Sequence, residues 1–160
     1  MRLIIAAVGR LKDGAERELL ERYRERFAAM AKRLGFNLVV WHEVAESRAA
    51  TAAKRCAEEG AGLLKLARDA DAIIALDERG KALTSQGFAE LLRKTRDDGA
   101  GAAAILIGGP DGLAPAVRAA SHMQVSFGAI TLPHGLARIV LAEQLYRAAT
   151  ILAGHPYHRG

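Results

Sequence analysis

Five short apolar runs, rich in β-branched residues, alternate with charged stretches that carry a helical stripe, and this alternation constrains the fold of the 160-residue chain. Leu3–Val8, Phe36–Val44, Asp71–Asp77, Ala102–Ile107 and His122–Phe127 read as strands. Asp13–Leu34 repeats Leu19, Leu20, Tyr23, Phe27, Met30 and Leu34 at helical spacing, and Gly35 suits its stop. Ser47–Arg68 is alanine-rich and helical. A third helix, capped by Thr84 or Ser85, runs to about Asp98 with Phe88, Leu91 and Leu92 inward. Pro115 opens a short helix, and Gly135–Ala153 is the last, stopped by Gly154. Leu3–Val8, Ile73–Leu76 and Ala102–Ile107 are continuously apolar, as expected of strands buried on both faces. The expected fold is therefore α/β, a mainly parallel sheet with helices on both faces.

Such sheets bind ligands at the carboxyl ends of their strands. Three connections fall there: Glu78–Leu83, Gly108–Leu113 and Gly128–His134. One domain spanning 1–160 is expected from the length, and the low aromatic share (5%) predicts an aliphatic core. No apolar run approaches the roughly 20 residues that a membrane span needs. The stretch Met1–Gly9 reads as a first buried strand in place of a secretory signal. Cys56 is the only cysteine, which excludes an intrachain disulfide and a multi-cysteine zinc site and fits a cytoplasmic protein. Inside an alanine-rich helix it reads as a small buried hydrophobe. The net charge of +5 favours an anionic partner, nucleic acid first. Eight basic residues from Arg10 to Arg33 crowd the first fifth of the chain. A solvated helix face, partly neutralised by Glu16, Glu18, Glu21 and Glu25, and an RNA-contacting face remain equal readings of that cluster.

Ile105–Gly112 runs a buried strand into a glycine-dense turn, where a ligand can approach the main chain closely. The turn is neither a P-loop nor a dinucleotide fingerprint, since both spacings are absent. Gly128–His134 is apolar yet must be a loop, and its backbone groups suit a flat heterocycle between apolar walls. His134 falls beside the start of the last helix, where the dipole disfavours protonation; a capping or core histidine is the equal alternative. The final hexapeptide, His155-Pro156-Tyr157-His158-Arg159-Gly160, holds two imidazoles, a phenol and a guanidinium. The four histidines from His122 onward lack the spacing and companion ligands of a metal site, so no catalytic metal is expected. No Gly-x-Ser-x-Gly elbow is present.

Leu76–Lys81, Ser85 with Phe88-Ala89, Leu106–Gly112, Thr131–His134 and His155–Arg159 together resemble the ribosomal RNA large subunit methyltransferase H family of the SPOUT superfamily. The resemblance spans essentially the whole chain and is most specific in its two C-terminal blocks. It implies a C-terminal trefoil knot, a rare exception to unknotted topology. It also implies a homodimer, S-adenosylmethionine as methyl donor, and methylation at N3 of a pseudouridine (position 1915) of 23S rRNA in the assembled 70S ribosome, with neither DNA nor membrane as partner. By matching motif, Leu76, Gly108, Gly109 and the stretch Gly128, Ala129, Ile130, Thr131, Leu132 and Pro133 would hold the donor. His134, Tyr157, His158 and Arg159 would face the target base. One departure is Gly160, where relatives commonly carry an acidic or other side chain; the α-carboxylate supplies a negative charge there.

Two rivals follow from the residues alone: another nucleotide-binding α/β enzyme, flavodoxin-like or nicotinamide-using, and a non-enzymatic ribosome-associated factor. If the first helix contacts ribosomal phosphates, reversing Arg22 and Arg26 to Glu weakens ribosome binding, most strongly at low salt. Binding measured across a salt series checks this, and an unchanged salt dependence would contradict it.

Overall fold

The structure is a computed structural model and describes residues 1–158. β1 (Arg2–Val8), β2 (Leu38–Val44), β3 (Ala72–Ala82), β4 (Ala102–Ile107) and β5 (Met123–Ser126) form one sheet in the order β2-β1-β4-β3-β5. Every neighbouring pair is parallel. The helices are α1 (Ala15–Ala31), α2 (Ala52–Leu66), α3 (Ser85–Asp97), α4 (Pro115–Ala120) and α5 (His134–Leu152). One face of the sheet buries Leu3, Ile5, Ile74, Ile105 and Val125 with residues of α1, α3 and α5. The other buries Ile4, Ala6, Val8, Ala104 and Leu106 with residues of α2 and α4. Odd and even positions of one strand thus face opposite helix layers, which is why its sequence reads as continuously apolar. Among the described residues no helix is long and apolar enough to cross a membrane.

Local signals set the element ends. Gly35 adopts a left-handed conformation (φ 82°) after a single 3₁₀ turn at Lys32–Leu34 and closes that end of α1. Thr51 caps α2 by accepting the Lys54 N–H, and Thr84 caps α3 by accepting the Gly87 N–H at 3.0 Å. Ser85, the other candidate cap, instead donates to Gln144 of α5 at 2.8 Å. At the end of α5, Gly154 (φ 64°) donates to Ile151 and His155 to Thr150, which fixes the point where the tail leaves the helix.

Three segments depart from expectation. Glu78–Leu83 is not all loop: β3 continues to Ala82, with an irregularity between Leu76 and Lys81 after which Lys81 and Ala82 pair again with β5. A Cβ on Gly80 would lie 2.6 Å from the backbone of Gln124 and Val125, so only glycine lets these strands approach so closely. The polar residues around it read as loop because they are exposed at the sheet's end. Ser47–Ala50 is not helical, because Thr51 starts α2 and the segment before it is tied down by Glu58 and Glu59. β2 begins at Leu38, although Phe36 is buried in the core before it.

α5 is buried on almost every side and packs against both α1 and α3. Its Arg138 is only 2% exposed. The guanidinium donates to the carbonyl oxygens of Val8 and Gly9, the latter at 2.7 Å, and pairs with Glu43 at 3.2 Å. Burial lowers its pKa from the ordinary arginine value, with Glu43 working against that. Substituting Arg138→Met leaves those carbonyls and Glu43 without their partner. A loss of about 3–5 kcal/mol of unfolding free energy is expected in chemical denaturation, and a variant as stable as the parent would contradict this role.

Candidate functional site

A cleft of about 610 Å³ opens at the carboxyl ends of β3, β4 and β5. Its walls come from Leu76–Arg79, from the turn Ile107–Leu113, from Val125–Phe127 and from the loop that leads into α5. The residues expected to hold a ligand converge here: Leu76, Gly108, Gly109, Gly128, Ile130, Thr131, Leu132 and Pro133 all line the cleft. Ala129 belongs to the same loop but does not line it. A Cβ on Gly108 would lie 2.7 Å from the Gly112 carbonyl carbon, and one on Gly109 would lie 2.9 Å from Val8. The turn therefore needs glycine to fold back on itself and onto β1. Gly128 takes φ 120°, and the buried Ser126 hydroxyl both accepts its N–H at 3.1 Å and donates to its carbonyl at 2.9 Å. Ile130 is 81% exposed at the mouth of the cleft.

Two ion pairs that sequence reasoning missed shape these walls. Arg55 of α2 holds Asp111 of the glycine turn through two hydrogen bonds, 2.7 and 3.1 Å, and also donates to the Ala49 carbonyl at 3.0 Å. The hydrogen bond from Arg55 holds the Asp111 carboxyl below its ordinary value. Beside it, the Cys56 sulfur lies 3.3 Å from the Asp111 carbonyl oxygen, and burial pushes its thiol up, which suits a packing residue and not a nucleophile. Inside the cleft, Arg118 donates from Nε to Asp77 at 2.7 Å, and Asp77 also accepts the Arg79 N–H at 2.9 Å. Burial alone would raise the Asp77 carboxyl, but those hydrogen bonds and the nearby cations outweigh it and hold it low. Neither pair shows in the sequence, because their partners lie far apart in the chain and carry no spacing signal.

His134 is the first residue of α5 and stands on the rim of the cleft, with Nε2 3.7 Å from the carboxylate of Glu46. Tyr157 lies elsewhere. Tyr157 stacks on Tyr146 with ring centroids 4.7 Å apart, lies under the Arg147 guanidinium and donates its hydroxyl to Glu143 at 3.2 Å. Burial first, then Glu143, pushes its phenol up to about 12. The Nδ1 of His158 is buried without a hydrogen-bond partner among the described residues. At 1.5 Å per residue, the helix positions that hold Tyr157 are about 14–20 Å along α5 from His134. The structure thus brings His134 to the loops that line the cleft, while Tyr157 and His158 are not among the lining residues. Arg159 and Gly160 lie outside the described residues.

His122 joins β5 to β3: its Nδ1 accepts the Ile73 N–H at 3.0 Å and its own backbone N–H donates to the Ile73 carbonyl. Its role is therefore structural. Among the described residues no group of three or more metal-binding side chains converges.

This architecture, with its ligand cleft at parallel strand ends, defines an α/β protein built to bind a partly apolar, partly charged small molecule. The family model of predicted SPOUT methyltransferases matches residues 1–158. The chain is 54% identical over 160 residues to the ribosomal RNA large subunit methyltransferase H of Nitrobacter winogradskyi, covering 100% of both chains. It is likewise 54% identical to the protein of that name from Methylobacterium nodulans, covering 100% of this chain and 99% of that one. A probable methyltransferase from Bordetella pertussis shares the fold at a TM-score of 0.53 and 18% identity, over 92% of this chain and 95% of that one. The chain belongs to the SPOUT methyltransferase family. It is accordingly a methyltransferase that uses S-adenosylmethionine. The cleft fits such a donor. Leu76, Ile107, Val125, Phe127 and Leu132 give an apolar wall for a purine, and the turn and loop present main chain.

The Asp77–Arg118 pair makes a pH-dependent contribution to stability. With its folded value depressed, Asp77 stabilises the fold above the unfolded carboxylate value of about 3.9. That contribution is lost as pH falls through the lower folded value. Below about pH 4 the parent is therefore expected to lose stability more steeply than Asp77→Asn. Acid titrations of unfolding would show it, and equal slopes would contradict it.

Proposed function

We propose that this chain methylates N3 of a pseudouridine in 23S rRNA, acting as a homodimer on the assembled 70S ribosome in the cytoplasm. Identity of 54% over the full length to proteins named ribosomal RNA large subunit methyltransferase H carries this reading. The net charge of +5 supports an RNA partner. The whole of 1–160 works as one SPOUT domain, and a knotted C-terminal path belongs to the same reading. Its support is that β5 returns beside β3, on the side away from β4, before α5 crosses the sheet.

Bound S-adenosylmethionine supplies a methyl group on a sulfonium, an electrophile that needs no further activation. The protein's work is to bind, align and move one proton. Leu76, Gly108, Gly109 and Gly128–Pro133 hold the donor through main-chain groups and apolar contact. His134, at the rim, faces the target base. Its imidazole is a candidate proton acceptor, and the Glu46 carboxylate, 3.7 Å from Nε2, lies where it can steady the ring. His158 is the second candidate acceptor. Arg159, always charged, offsets the imide anion as it forms, and Tyr157 stacks on the base or meets its edge. The base must lie in an open loop or be flipped out.

Within one chain Tyr157 lies against α5, away from the cleft. That separation supports a site in which one protomer's donor cleft is completed by its partner's tail. Deleting Tyr157–Gly160 is expected to leave donor binding intact and to abolish methyl transfer to ribosomes. Full transfer after deletion would overturn the tail's role. Pairing a tail-deleted chain with a Gly109→Val chain tests the crossing: one intact site, and hence activity, is expected in the mixed dimer. Inactivity would place cleft and tail of a site on the same chain.

A further inference from the structure

The polar end of the cleft carries a feature that the donor loops do not use. Arg118 lies in the last turn of α4, with its side chain 26% exposed, and lines the cleft. Only its Nε is committed, to Asp77 at 2.7 Å. Neither of its Nη atoms has a hydrogen-bond partner among the described residues, and one of them lies 3.8 Å from the position of a Cβ built on Gly112. The guanidinium is therefore held along one edge by a carboxylate that is itself 5% exposed, and its other edge opens beside the glycine turn. That open edge presents two parallel N–H donors, the geometry that a carboxylate accepts.

The other charges around the cleft sharpen the choice. Asp111 is occupied by Arg55 and Asp77 by Arg118. Arg79 is exposed and has no carboxylate holding its side chain, so fixing it on a ligand would cost more rotamer entropy than fixing Arg118. The apolar wall made by Leu76, Ile107, Val125 and Phe127 takes the uncharged part of a ligand, so a negative group at its far end falls to Arg118.

We propose that Arg118 is the carboxylate anchor of the methyl-donor site: its Nη edge receives the carboxylate of the donor's amino-acid end, with Asp77 holding the guanidinium in place. This rests on the reading of the cleft as the donor site. It adds a side-chain contact to a site otherwise built from main chain and apolar groups, and it makes the site select for an intact amino-acid end.

Calorimetry with two probes tests it: S-adenosylmethionine and decarboxylated S-adenosylmethionine, which lacks only the carboxylate. The parent protein should bind the carboxylated form at least about tenfold more tightly. In Arg118→Gln, where the amide still donates to Asp77, that preference should vanish or reverse while affinity for the decarboxylated probe stays near the parent's. Arg118→Lys, which keeps the charge without the fork, should fall between the two. A parent that does not discriminate, or an Arg118→Gln protein that keeps the preference, overturns the proposal. So does equal weakening of both probes, which would mark Arg118 as structural, or a defect confined to RNA binding. If the parent binds neither probe, it is the donor-site reading that falls. A parent that does not discriminate overturns the proposal even if a variant fails to fold, and Arg118→Lys stands in should Arg118→Gln not fold.

Discussion

Arg138 brings a permanent positive charge into the interior of the protein, where its two Nη groups meet the carbonyls of Val8 and Gly9 at the end of β1 and Glu43 of β2. A buried guanidinium is costly unless such partners surround it. Here the partners are main-chain oxygens at a strand end, which have no further strand to bond. The interaction therefore locks the first turns of α5 over the sheet's carboxyl edge. His134 is four residues earlier on the same helical face. Its place on the cleft rim, and the approach of the preceding loop to the glycine turn, follow from that lock. Gly9, at the end of β1, takes φ 91° at a point where a Cβ would meet Glu46, Arg138 and His134. The same few ångströms thus join the sheet, the last helix and the site.

The order and type of the elements are legible in the sequence because β1 and β4 are buried along nearly their whole length and α1 and α3 along one stripe, so hydrophobic period and element agree. Ala102–Ile107 matches its strand residue for residue. Where the structure departs from that pattern, a tertiary contact decides the outcome. Glu78–Leu83 looks like a loop, yet β5 recruits the residues after Gly80 into the sheet. Ser47–Ala50 looks helical, yet Glu59 takes the Ser47 N–H at 2.9 Å. The donor loops are legible because glycine-dense turns and an apolar connection carry local signals. Arg55, Arg118 and Arg138 are not, since an arginine's burial and partner depend on contacts tens of residues away.

The tail illustrates the opposite case. Its composition draws attention to it, but composition does not say where it goes. Tyr157 is held by Tyr146, Arg147 and Glu143, residues that the sequence alone presents as ordinary helix surface. Glu143 and Arg147 read as an i,i+4 pair that steadies α5, and they do pair at 2.6 Å. They also form the seat of the tail. The cleft lies at one end of α5 and Tyr157 is seated toward the other, a separation that the proposed site across a dimer would bridge.

The proposed function has one consequence above all: a methyl group should pass from the donor to one nucleoside of 23S rRNA. The most direct measurement incubates the protein with labelled donor and 70S ribosomes lacking the modification, then identifies the labelled nucleoside by mass spectrometry of the digested RNA. N3-methylpseudouridine at a single site in 23S rRNA is the predicted product. Label on a different nucleoside, or ribosomes that take up none while the protein binds the donor, would contradict the account.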